Sequence, residues 1–143
     1  MNSIETRIGR VFVGKILPNE DIIDAITEMV VKYDITSGLI NIIGALNKVT
    51  IGFFDLEKKD YNFQTFNEHM ELISCMGNIA HKDTGSPIVH LHVSVGREDF
   101  SIIGGHLSQP SIISVTGEVY IYEINQKLKR SEDSQFGLSL LNL

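Results

Sequence analysis

The chain has 143 residues and a formal net charge of −6, the length of one ordinary domain and a sign that opposes nonspecific binding to duplex DNA, which relies on Lys and Arg neutralising phosphates. Hydrophobic residues make up 43% and charged residues 21%, which excludes a disordered chain, and no window approaches the roughly 20 apolar residues that span a bilayer. The opening MNSIETRIGRVFVG has no basic region followed by a long apolar run, so the expected location is the cytoplasm and no membrane contact is expected.

In chain order, TRIGRVFVGKI places apolar residues at Ile8, Val11, Val13 and Ile16, which predicts a first strand ended by Pro18 and Asn19. In NEDIIDAITEMVVKYD, Ile22, Ile23, Ile26, Met29 and Val30 recur at three- and four-residue steps. This predicts a helix over about 20–33 with Asn19 as N-cap and Glu20 and Asp21 in its first turn. The pattern then changes to β-branched and aromatic runs: SGLINIIGAL, KVTIGFFD, YNFQTF, MELISCMGNI, PIVHLHVSVG, FSIIGGHL and SIISVTGEVYIYEI. Connections such as LEKKD and GRED are too short for parallel crossovers. The expected fold class is therefore α+β, a mostly antiparallel sheet of about seven strands with one main helix packed against it. One domain covers residues 1–143, with its core over about 5–125 and a C-terminal tail over 126–143.

Within that tail, the basic cluster KLKR, Lys127 to Arg130, is followed at once by SEDS and reads as solvated chain. EDSQFGLSLLNL turns apolar again and is placed to dock on the domain or on a neighbouring subunit. The single cysteine, Cys75, rules out an internal disulfide and reads as a buried, inert thiol.

The chemistry concentrates in IVHLHVSVGREDFSIIGGH, residues 88–106. His90 and His92 share one face of a strand, because successive side chains alternate, and they stand about 7 Å apart along it. GREDF reads as the hairpin that returns the chain beside them, which brings in His106. Gly104 and Gly105 offer unusual backbone angles and room for a close approach. Three histidines with an open fourth position describe a catalytic-type zinc site rather than a closed structural one, although imidazole ligands also suit copper, nickel and iron. HxH on a strand also occurs as two solvent-facing polar residues, so spacing alone leaves both readings open. Glu71 and Glu118, acids within apolar runs, are the candidate acid–base or supporting residues, whereas His69 and His81 read as surface residues. No GK[ST] phosphate loop and no GxSxG elbow is present.

SGLINIIGALNKVTIGFFD, TFNEHMELISCMGNIAHKDTGSPIVHLHVSVG and GGHLSQPSIISVTGEVYIYE together resemble the plant and prokaryote conserved (PPC) domain family over about residues 5–125. The order GNIA, HLHVSVG, GGHL carries the resemblance. It implies an α/β domain, an antiparallel sheet of about seven strands flanked by helices, assembled as a homotrimer. In plants such domains follow AT-hook segments, and bacterial members carry a DNA-binding label by that association, but no RGRP hook core occurs here. The fold implied is also similar to that of acetolactate decarboxylase, whose HxH pair and later histidine hold zinc, and His90, His92 and His106 match that order. The leading reading is thus a homotrimer of regulatory or DNA-associated type, the DNA association carried by analogy alone, in which His90, His92 and His106 hold a divalent metal such as zinc near a subunit interface. The rival reading is a zinc-dependent lyase or hydrolase acting on a small molecule at the metal, with Glu71 or Glu118 moving the proton and Arg97 as a weaker candidate for the arginine such chemistry uses.

Overall fold

The computed structural model describes residues Met1–Leu143. Strand β1 (Ile8–Ile16) leads to helix α1 (Ile22–Lys32), then β2 (Gly38–Asp55), β3 (Asp60–Phe66), β4 (Met70–His81), β5 (Pro87–Gly96), β6 (Ile102–Ile124), β7 (Lys129–Asp133) and β8 (Leu138–Asn142). The helix forms where the apolar spacing places it, but its cap is Asp21 rather than Asn19. The Asp21 carboxylate accepts from the N–H groups of Ile23 at 2.9 Å and Asp24 at 3.3 Å and from Ser111 N–H at 2.7 Å, so one side chain both starts the helix and ties it to β6. Asn19 instead takes a left-handed turn conformation, φ 71°, which its short polar side chain tolerates. Ile22, Ile26 and Val30 are buried as the helix packs on β5 and β6.

The sheet is mixed and has eight strands, where about seven mostly antiparallel ones were expected. Two pairs of apolar runs fuse, SGLINIIGAL with KVTIGFFD in β2 and FSIIGGHL with SIISVTGEVYIYEI in β6. The ladder shifts register there without ending: irregularities fall between Gly44 and Leu46, between Leu46 and Lys48, and between Lys48 and Thr50. Pro110, which has no N–H to donate, lies opposite the last of these. Within the C-terminal tail, Lys129 and Arg130 of the cluster expected to be solvated instead open the hairpin β7–β8, which is joined to β4 by a parallel bridge between His81 and Lys129.

β2 pairs with β4 on one side and β6 on the other, while β5 joins β4 to β6, so these four strands form a closed circuit. Its interior is the core: Ile40, Ile42, Leu72, Leu91, Val95 and Ile121 are almost fully buried against the helix's Ile22, Ile26 and Val30. Cys75 is buried in it, as expected, and burial pushes its thiol up to about 12.

Residues that alternate with these point to the opposite face, where Leu39, Ile43, Ile73 and Met76 are exposed. β1 pairs with β6, and its Ile8, Val11 and Val13 are exposed while Ile16 is buried, so of the four spaced apolar residues only the last enters the core. His69 is exposed as expected. His81 is instead buried, with Nδ1 3.0 Å from Gly85 O and its backbone N–H donating to Leu128 O, because β7 closes over it. No helix is long and apolar enough to cross a membrane.

Candidate metal centre

On β5, Leu91, Val93 and Val95 enter the core, so alternation obliges His90 and His92 to face outward. The turn after β5 is tight: Arg97 N–H donates to Ser101 O and Phe100 N–H to Arg97 O, each at 2.9 Å, with Phe100 in the left-handed region at φ 63°. β6 therefore returns antiparallel, with His106 directly opposite His92. Gly104 and Gly105 serve close approach rather than unusual angles. A Cβ would lie 2.5 Å from Val93 O at Gly104 and 2.7 Å from Gly52 O at Gly105, and neither glycine has positive φ.

The three histidines offer ring nitrogens that all lie within 4.8 Å of one another. Zinc–nitrogen bonds of about 2.0–2.1 Å in a tetrahedron set ligand nitrogens roughly 3.4 Å apart, so side-chain rotation of about an ångström closes the set on an ion. Burial, reinforced by Arg130, His106 and His92, pushes His90 down to about 4, and burial followed by His92 and Arg130 holds His106 below its ordinary value. Both imidazoles are thus neutral at pH 7, the charge state in which an imidazole ligates a metal. His106 Nδ1 is buried and has no hydrogen-bond partner. By donor type, charge state and spacing, the residues fit a divalent ion.

Three further side chains complete the surroundings. Arg130 on β7, 8% exposed, donates through Nη2 to His90 Nδ1 at 2.8 Å and Asn78 Oδ1 at 3.0 Å, and through Nη1 to Ser139 O at 2.8 Å. Its buried Nε has no partner. The Tyr61 ring lies on His106, centroids 4.7 Å apart and tilted 32°. Gly52, paired with both His106 and Phe63, makes room for it, since a Cβ there would meet the rings of Phe63 at 2.7 Å and Tyr61 at 2.9 Å. Sequence reasoning missed all three. Gly52, a glycine inside the apolar run TIGFFD, was the available signal for Tyr61, whereas nothing local marks Arg130 or Asn78.

The acids lie elsewhere. Glu71 pairs with Gly96, four residues beyond His92 and so about 13 Å further along β5. Glu118 pairs with Ile43 and Lys15. The two glutamates meet each other, with His69, around a hollow of about 520 Å³ floored by Ile43, Ile73 and Val115. Arg97 is held by Glu68 at 2.9 Å. Against His92 itself the hollow, bordered by Ser74, Met76 and Ser94, is about 270 Å³, below the roughly 300–1,000 Å³ usual for small-molecule pockets.

Among solved structures, a metal-containing protein from Archaeoglobus fulgidus superposes with a TM-score of 0.90 at 30% identity, over 100% of both chains. A protein from Bacteroides thetaiotaomicron to which DNA binding is ascribed gives 0.88 at 29% identity, over 96% of both. Acetolactate decarboxylase from Bacillus subtilis subspecies spizizenii gives 0.58 at 15% identity over 90% of this chain and 60% of its own, a likeness of fold alone. No curated protein matches the chain significantly. The HLHVSVG and GGHL segments that build the site both lie within residues 3–125, the stretch matched by the family model described as "Plants and Prokaryotes Conserved (PCC) domain", and it is to this family that the chain belongs.

Proposed function

We propose that the chain is a regulatory binding protein of the cytoplasm that assembles as a homotrimer, carries one zinc ion per chain on His90, His92 and His106, and works in association with DNA. The observation that carries this reading is the cluster of three imidazoles within 4.8 Å of one another, two of them held neutral by their surroundings. The metal-containing relative supports it. The relative to which DNA binding is ascribed supports the association with DNA. A net charge of −6 favours contact through a partner over direct phosphate binding. Exposed Leu39, Ile43, Ile73 and Met76 on the face that carries the histidines support burial against further copies.

Such an ion would supply Lewis acidity, with His90, His92 and His106 holding it and the Tyr61 ring lying on His106. Binding ranks above lyase or hydrolase chemistry because Glu71 and Glu118 stand apart from the histidines and the hollow against His92 is small.

Metal content by mass spectrometry, on protein purified without a histidine tag, tests the reading. About one zinc per chain in the wild type and almost none in His92→Ala is expected. A wild type that takes up no metal after incubation with zinc would overturn the centre.

A further inference from the structure

Arg130 stands against His90 in a way that bears on any ion the histidines take up. A guanidinium only donates and stays charged in proteins, so the 2.8 Å contact between Arg130 Nη2 and His90 Nδ1 fixes Nδ1 as the acceptor. The proton of neutral His90 is then on Nε2.

Ligation through Nε2 needs the opposite tautomer, with the proton on Nδ1, and sets that N–H against the N–H of Arg130, donor facing donor. Ligation through Nδ1 needs the very lone pair that Arg130 occupies. Turning the ring over presents a C–H to Arg130 and loses the bond as well. The contact and the metal coexist only on an imidazole stripped of both protons. Every other route to a three-histidine centre breaks the Arg130–His90 hydrogen bond, and it also brings a divalent charge close to a buried guanidinium that has no carboxylate partner.

We propose that Arg130 is the residue that sets the affinity of the metal centre, by competing with the ion for His90, and that metal uptake loosens the C-terminal hairpin β7–β8 from the sheet. This rests on the metal-binding reading above. The hairpin is suited to the role because few bonds hold it. β7 meets β4 in the parallel bridge between His81 and Lys129, His81 N–H donates to Leu128 O at 3.0 Å, Leu128 N–H donates to Ser37 Oγ at 2.9 Å, an exposed ion pair joins Lys129 to Asp83 at 3.4 Å, and Arg130 itself bridges Asn78 and His90 on the sheet to Ser139 on β8. Losing the His90 contact removes one of two side-chain bonds by which Arg130 fastens β7 to the body.

Zinc titration calorimetry on the wild type and Arg130→Gln, with hydrogen–deuterium exchange on both, tests this. Arg130→Gln is expected to bind zinc roughly tenfold more tightly, the equivalent of losing one charge-assisted competing bond. In the wild type, zinc is expected to speed exchange across residues 126–142, while the amides of β5 slow. Exchange on the wild type needs no variant, so it decides the point even if Arg130→Gln folds poorly. Equal or weaker zinc binding by a folded Arg130→Gln, or zinc binding by the wild type with unchanged or slower exchange in the hairpin, would overturn the proposal and leave Arg130 as support for His90. Zinc binding by neither protein would instead overturn the metal centre on which the proposal stands. Binding by Arg130→Gln alone would be the competition in its extreme form.

Discussion

His90 carries the largest consequence of its surroundings. Its folded value near 4 lies below the roughly 6.5 of an unfolded chain, so between those two pH values the unfolded state binds the additional proton. Stability of the metal-free protein therefore rises with pH across that window and is lost as pH falls from about 6.5 towards 4. Discounted for the solvent that reaches a half-buried ring, the effect amounts to about 1–2 kcal/mol. Urea unfolding in chelator at pH 7.5 and 4.5 is expected to show this loss in the wild type and a smaller one in His90→Gln, whose amide oxygen can still accept from Arg130. Equal losses in both would show that His90 titrates in the fold much as it does free. The histidine cluster was readable because alternation and one short hairpin bring its members together within seventeen residues. Arg130 was not, since it reaches His90 across forty positions and sits in a local run, KLKRSEDS, whose charges look solvated when neighbours in space are unknown.

The strands that aim these side chains depend on how closely two backbones approach. Opposite Leu91, beside His90, β4 carries Gly77, where a Cβ would lie 1.8 Å from His90 O. Gly77→Ala must push β4 from β5 at the residue that presents the imidazole, with an overpacking cost of about 1–3 kcal/mol. The variant is expected to melt lower and to hold zinc more weakly, as read by thermal unfolding with and without metal. Gly85→Ala is not a fair control because Gly85 has φ 92°, so the comparison belongs with an exposed strand position such as Val115. A Gly77→Ala protein with unchanged melting and affinity would mean the ladder yields there at no cost. The helix and the antiparallel pairing about the histidines followed from periodicity and short turns. The number of strands did not, because a glycine or proline inside an apolar run ends a strand in one setting and only shifts register in another. In β2 and β6 the long partner on each side decides for the second.

Cross-strand partners run in one row from Val13 through Tyr120, Asn41 and Met76 to His92 and His106. Val13, Tyr120 and Met76 are exposed, so the histidine cluster is continuous with the apolar face that the proposed trimer would cover. Ile43 lies on that face, 49% exposed, and two to three kcal/mol is about what a fully buried isoleucine contributes. An aspartate in its place would carry a charge into the contact of each of three chains, a cost of several kcal/mol per site unless it is neutralised or hydrated. Light scattering on a sizing column is expected to give the wild type a mass near three times the 16.0 kDa of one chain and Ile43→Asp the mass of one chain, with its circular dichroism retained. Since Ile43 touches none of the three histidines, the monomeric variant separates assembly from ligation: zinc held at unchanged affinity would make the centre a property of each chain. Loss of zinc together with the trimer would mean that neighbouring copies help to shield it. A wild type that runs as one chain would remove the trimer from the proposal, and an Ile43→Asp protein that stays trimeric would place the contact on another surface.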